Sequence, residues 1–187
     1  MDERTILKFF KASIDLMNIL RIIRDLKLKD SWLAAGSVRN FIWNILSNQP
    51  GFDADTDVDV IFFDPTVSYE ATVQIEEDLK KYPKYKWEVK NQVYMHIHSP
   101  GTKPYTSSKD AVSKYPERCT AVGLRLLEDE KLDLFTAYGL DEIVRFQVYP
   151  TPHFLENKER MVLYTERLKK KDWQRKWPQL TFHFPKK

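Results

Sequence analysis

The sequence predicts an α/β (α+β) protein: a mixed β-sheet flanked by helices, with a helix near each end of the chain. Three observations predict it. Strand-like and helix-like segments are interleaved along the 187 residues. Some strands follow one another through links too short for a crossover helix, which argues for a mixed sheet over a purely parallel one. Apolar residues make up 42% of the chain and charged residues 30%, the balance of a globular protein long enough to bury a core.

Each element has its own reason. Ile6, Phe10, Ile14, Met17, Leu20 and Ile23 recur at helical spacing, with Lys8, Lys11, Asp15 and Arg24 off that stripe, so one amphipathic helix is predicted from Ile6 to Leu28. "SWLAAG" reads as a short buried strand ending at Gly36. "SVRNFIWNILSN" then reads as a helix with Ser37 as N-cap, stopped by "NQPG". "DVDVIFFD", rich in Val, Ile and Phe, is the clearest strand. A helix over Tyr69 to Tyr82 follows. "YKWEVKNQVYMHIH" alternates well enough for one strand or two. Ser107 or Ser108 caps a short helix in "KDAVSKYP", "CTAVGLRLL" is another strand, and "EDEKLDLFTAYGLDEIVRF" is a turn followed by helix or mixed structure. "YPTPHF" leads into a final helix from Leu155 to about Trp177. The chain reads as one domain over 1–187, with a core of about 30–150 and a basic helical extension of about 151–187.

The net charge of +3 conceals a gradient: Lys158 to Lys187 holds ten Lys or Arg against three acids, so the rest is acidic. Such an end suits phosphate-bearing partners and equally suits a solvated basic helix. The single cysteine, Cys119, excludes a disulfide within the chain and reads as a small buried hydrophobe. No signal-peptide pattern opens the sequence and no apolar run reaches the ~18–20 residues of a membrane span, so a cytoplasmic protein with no membrane partner is expected.

The strand at Asp57 raises the chemical question. Alternate residues of a strand face one way, ~6.5–7 Å apart, so Asp57 and Asp59 share a face while Val58 and Val60 take the other. Two carboxylates at that separation repel by ~2–3 kcal/mol at an effective dielectric near 20. Solvent, protonation or a bound cation relieves this, and hard oxygen ligands suit Mg²⁺ or Mn²⁺. Calcium in an EF-hand loop does not fit: Val58 stands where glycine is required and Asp64 where glutamate is required. Twenty-one positions before Asp57, Gly36 ends a strand and opens a helix whose N-terminal N–H groups suit phosphate; Ser37 adds a hydroxyl and Arg39 a charge-assisted contact. In "WEVKN", Glu88 lies between Trp87 and Val89 and points away from them, either to solvent or toward the aspartate pair as a third carboxylate.

At these residues the sequence resembles the nucleotidyltransferase superfamily, the DNA polymerase beta-like fold. The resemblance rests on Ala35-Gly36-Ser37, on Asp57-Val58-Asp59 and on a later acid, Glu88. "AAGSVRN" is similar to the glycine-and-arginine motif of tRNA-nucleotide-adding and poly(A)-polymerase-like enzymes. The strings "AAGSVRNFIWN", "DVDVIFFD", "WEVKNQ", "TAVGLRL" and "PTPHF" resemble small bacterial nucleotidyltransferase-like proteins with no established substrate, over roughly Trp32 to Phe154. The Gly36–Asp57 gap is longer than in the compact motif, Ser37 stands for the second glycine, and Asn91 and Gln92 are alternatives to Glu88 as the third polar group. The resemblance implies metal-dependent transfer of an NMP from an NTP to an acceptor hydroxyl. Asp57, Asp59 and Glu88 would be the catalytic and metal-holding acids, with Gly36, Ser37 and Arg39 binding the phosphates. A non-catalytic nucleotide-binding or protein- or RNA-interaction module on the same fold is the alternative.

Other candidates carry less. Glu117, Arg118 and Thr120 fit a pocket lining or a capped turn equally. His96 and His98, two apart on an expected strand, lack partners for a zinc site, and His153 and His183 read as structural. No G-x-S-x-G, Walker or CxxC pattern appears. The basic and aromatic tail, with Lys169 to Lys171, Trp173, Arg175, Lys176 and Trp177, fits a helix packed on the core or a nucleic-acid surface.

Overall fold

In the computed structural model, which describes residues 1–185, the opening amphipathic stripe folds as two helices and not one, α1 (Glu3–Ala12) and α2 (Ile14–Asp25). Ser13 makes the break. Its backbone is extended, and its Oγ accepts from the Leu16 N–H at 3.2 Å as N-cap of α2. A serine caps better than it propagates a helix, and the rotation it introduces leaves Ile14 82% exposed while Ile6, Phe10, Met17, Leu20 and Ile23 are buried.

The chain then runs β1 (Trp32–Ala34), α3 (Gly36–Leu46), β2 (Asp57–Phe62), α4 (Tyr69–Leu79) and β3 (Lys86–Asn91). The residues after β3 form a 3₁₀ helix, Gln92–His98, and no second strand. The Asn91 side chain accepts from the Val93 N–H and diverts the backbone there. His96 and His98 are therefore off the sheet. Next come α5 (Ser108–Ser113), capped by Ser107, then β4 (Val122–Leu126), β5 (Leu132–Thr136), α6 (Asp141–Val144) and β6 (Gln147–Val148). The expected final helix is three helices, α7 (Pro152–Leu155), α8 (Lys158–Lys170) and α9 (Trp173–Lys176), before β7 (Thr181–Phe182). Asn157 makes the first break by accepting from the Glu159 and Arg160 N–H groups.

Five strands form one mixed sheet in the order β3-β2-β1-β4-β5, with only β2 and β3 parallel; β6 and β7 pair separately. The two sheet faces differ. Val58, Val60 and Phe62 of β2 enter the main core with Leu33, Val89, Leu124 and helices α1 to α3. On the other face Trp32, Ala34, Ile61, Val112 and Ala121 make a smaller cluster. Asp57 and Asp59 share this less covered face with Ile61. No helix among the described residues is long and apolar enough to cross a membrane.

The basic tail returns to the core. Trp173 and Trp177 are buried, with ring centroids 5.7 and 5.0 Å from that of Trp43. The Trp177 indole N–H donates to the Asn44 Oδ1 at 3.1 Å. Trp177→Ala would empty this cluster and leave buried Asn44 without its donor. Urea unfolding should show a loss of ~3–5 kcal/mol; a loss under ~1 kcal/mol would mean that the tail does not help to hold the core.

Candidate active site

The turn from β1 into α3 is built around Ala35, not Gly36. Ala35 adopts φ 57° and ψ −127°, a conformation that costs a non-glycine residue strain. Its N–H donates to the Val122 carbonyl of β4 at 3.0 Å, and its own carbonyl accepts from Val38 and Arg39 to start the helix. A Cβ at Gly36 would lie 3.1 Å from the Arg39 Nη2, a tight contact that the guanidinium would have to relieve by shifting a few tenths of an ångström.

Ser37 is not the N-cap; it lies inside the first turn of α3. Its hydroxyl donates to the Asp57 carbonyl at 2.8 Å and accepts from the Asp59 N–H at 3.0 Å. One side chain thus ties the helix N-terminus to the strand that carries both aspartates. The N–H groups of Gly36 and Ser37, at the first two helical positions, have no partner within the helix.

Arg39 is buried, only 4% exposed. Its Nη1 donates to the Thr120 Oγ1 at 2.6 Å, while Nε and Nη2 donate to the Asn40 Oδ1 at 3.1 and 3.0 Å. The guanidinium carbon stands 4.1 Å from the Trp173 ring and 4.9 Å from that of Trp43. Burial, with the nearby Arg167 charge adding to it, lowers its pKa against the pull of the Glu117 and Asp59 carboxyls; a guanidinium remains protonated even so.

Asp59 and Glu88 are directly paired residues of the parallel strands β2 and β3. Burial, then the Glu88 charge and a hydrogen bond with it, then Asp57, raise the Asp59 carboxyl from 3.8 to about 7, with Arg39 pulling the other way. Asp57 is exposed at the strand's start, and Glu88 is exposed too. Three hard oxygen donors in mutual repulsion suit a divalent cation. Among the described residues no group of three or more His, Cys, Asp or Glu is arranged to hold a metal ion by itself. Asp57 and Asp59 alone would suit an ion that takes waters and phosphate oxygens as its other ligands.

Two clefts meet at Asp59. One, of about 400 Å³, is lined by Gly36, Asp57 and Asp59 on the sheet side and by Arg167, Lys170 and Lys171 on the tail side. The other, of about 370 Å³, is lined by Gln92, Met95, Tyr105, Tyr115 and Phe154. Ala35, Asp59 and Arg167 border both.

The alternatives left open by the sequence resolve individually. Thr120 is the acceptor of Arg39 and borders the second cleft. Glu117 is fully buried and pairs with Arg167 at 2.6 Å, while Arg118 pairs with Glu142 at 3.2 Å. Asn91 is structural, donating to the Asp64 and Val67 carbonyls; Gln92 borders the second cleft. Cys119 is buried and free, and burial pushes its thiol up to about 12. Arg167 is the site residue that sequence reasoning passed over. Its spacing from Lys170, which puts the two on one face of α8 just before Lys171, was the available signal.

Acids on two neighbouring parallel strands, next to a strained strand-to-helix turn on a mixed sheet, match the arrangement that the nucleotidyltransferase resemblance implies. The chain belongs to the nucleotidyltransferase family, whose model matches residues 21–182. Over 98% of its length it is similar, at 62% identity and a TM-score of 0.94, to 97% of a protein whose NMR structure reveals a CCA-adding enzyme head domain. A tRNA nucleotidyltransferase solved with a primer tRNA and an incoming ATP analogue matches at 15% identity and a TM-score of 0.47, over 78% of this chain and 43% of that one. The Bacillus stearothermophilus CCA-adding enzyme in complex with CTP matches at 14% identity and a TM-score of 0.46, over 90% and 40%. These last two are too distant to carry an argument. None of the curated proteins compared matches the chain.

The Asp59 environment has a measurable consequence. A carboxyl whose folded pKa exceeds its unfolded value of 3.8 weakens the fold as pH rises from about 4 to about 7, because the folded state holds a proton that the unfolded state has released. Asp59→Asn removes that penalty. In metal-free buffer at pH 8 the variant should unfold later than the parent, by on the order of 1–3 kcal/mol, and the gain should vanish near pH 4. Equal or lower stability at pH 8 would contradict the crowding of carboxylates.

Proposed function

We propose that the protein moves a nucleoside monophosphate from an NTP to an acceptor hydroxyl. One observation carries this reading: Asp57, Asp59 and the strand neighbour Glu88 lie on one sheet face beside the Gly36–Ser37 turn. The direction of Glu88 favours transfer over a module that only retains the fold. Family membership and the likeness to a CCA-adding enzyme head domain support it further, and the latter makes a nucleic-acid end one acceptor to test.

In this reading Asp57 and Asp59 hold Mg²⁺ or Mn²⁺, with Glu88 on the acceptor side. The bound metal would supply charge neutralisation at the phosphates and a lowered pKa at the acceptor hydroxyl. The Gly36 and Ser37 N–H groups, aided by the helix dipole, bind the β,γ-phosphates. The Ser37 hydroxyl is already engaged with β2, so it serves by fixing that strand against the phosphate-binding turn. Arg39, mostly buried but bordering the 400 Å³ cleft, supports the phosphates with its charge and steadies the α3 turn. Glu88 takes the acceptor proton. The acceptor oxygen bonds to the α-phosphorus, the bond from that phosphorus to its bridging oxygen breaks, and pyrophosphate leaves. Positioning and charge stabilisation supply most of the rate.

The test is incubation with each labelled NTP, Mg²⁺ or Mn²⁺ and a cell extract, together with calorimetric titration of Mg²⁺ and ATP. Asp57→Asn and Asp59→Asn should each reduce label transfer by at least about a hundredfold and weaken metal-dependent ATP binding. Unchanged metal–nucleotide binding in both variants would end the proposal.

A further inference from the structure

We infer that the basic face at the end of α8, formed by Arg167, Lys170 and Lys171 with Lys176 beyond it, is the polyphosphate-binding wall of the cleft, and that Glu117 holds Arg167 in place for it. The inference rests on the nucleotidyl-transfer reading. It gives the tail a role that the Gly36–Ser37 turn alone does not fill.

Spacing is the first argument. Arg167 and Lys170 share one face of α8, Lys171 is its C-cap, and all three border the 400 Å³ cleft with Gly36, Asp57 and Asp59. Cations in a last helical turn can merely complement the dipole, but that has no need of a common face. Lys169, in the same turn, does not border the cleft.

Partners give the second argument. Among the described residues Lys176 pairs with Asp53 at the cleft rim, whereas Lys170 and Lys171 have no acid partner. Arg167 donates through Nε to the Glu117 Oε1 at 2.6 Å. That bond leaves the two terminal amino groups as a fork for an anion. Glu117 is 0% exposed, and its Oε2 is buried without a hydrogen-bond partner. A buried carboxylate with one oxygen unsatisfied is a poor device for stability alone; it is a good device for fixing one arginine. Arg167 also borders both clefts beside Asp59, where a phosphate chain on one side would meet an acceptor on the other.

Shape and aromatics decide which phosphate. A nucleic-acid surface of this type combines basic residues with exposed stacking rings. Here Trp173 and Trp177 are buried against Trp43, so no stacking platform accompanies the lysines. The cations instead line a concave cleft facing a helix N-terminus, which suits a compact anion such as a triphosphate.

The experiment measures binding of ATP and adenosine with Mg²⁺, tripolyphosphate in metal-free buffer, and a single-stranded RNA without a terminal triphosphate. Tryptophan fluorescence, with Trp173 bordering the cleft, is the readout. Arg167→Met and the exposed pair Lys170→Met/Lys171→Met should each weaken ATP and tripolyphosphate by about tenfold to a hundredfold and leave adenosine unchanged. Glu117→Gln should weaken tripolyphosphate at unchanged adenosine affinity, which a merely structural defect would not do. ATP and tripolyphosphate affinities that survive both basic substitutions overturn the inference, as does loss confined to the RNA. Asp57→Asn and Asp59→Asn separate the two levels. If they leave Mg²⁺-dependent ATP binding intact while the basic variants lose tripolyphosphate, the transfer reading fails and the phosphate wall stands.

Discussion

The crowding of Asp59 against Glu88 is the constraint from which the rest of the site follows. Parallel pairing of β2 with β3 sets these carboxylates side by side, and Asp57 adds a third charge at the mouth. Nothing in the stability of a sheet calls for that arrangement. A β-branched or aromatic residue at position 59 would lie opposite Ala34 and beside Ile61 at no electrostatic cost. The protein keeps the acids, and one of them is driven toward neutrality by its neighbours. Sites that bind a cation or move protons hold such perturbed groups, and structural positions seldom do.

The remaining parts act on that cluster from three directions. From the helix side, the Ser37 hydroxyl ties β2 to the start of α3, so the free N–H groups of that helix and the aspartates are held together. From behind, Arg39 is enclosed by Thr120, Asn40 and two tryptophan rings, a buried positive charge that partly offsets the acids. From above, the tail brings Arg167 and its neighbouring lysines to the far wall of the cleft. Trp43 links the last two, since it packs against Trp173 and Trp177 and also lies beside Arg39. Folding of the tail and the electrostatics of the site therefore share one aromatic cluster.

Much of this was legible in the sequence wherever local pattern and final environment agree. The alternation in "DVDVIFF" gave β2 and the shared face of its aspartates, and the strand–Gly–helix string gave the β1–α3 turn. What escaped was decided by single polar side chains. Ser13 and Asn157 caught backbone N–H groups and broke apolar stripes that looked continuous, and Asn91 turned an alternating strand into a 3₁₀ helix. Ser37 was readable as important but not in kind, because its partners are contributed by a strand twenty positions or more away. The same limit hid the Glu117–Arg167 pair, whose members lie 50 positions apart. Only the fold brings such groups together.

The central proposal is that Asp57, Asp59 and Glu88 together seat a divalent ion beside the Gly36–Ser37 turn. Titration of the ¹⁵N-labelled protein with Mn²⁺ tests it most directly, because the paramagnetic ion broadens the amide signals nearest to it. The account predicts broadening centred on residues 36–37, 57–59 and 88, abolished by Asp59→Asn. Broadening centred elsewhere, at the acidic turn around Glu128 to Glu130 for example, or no localised broadening at all, would contradict it.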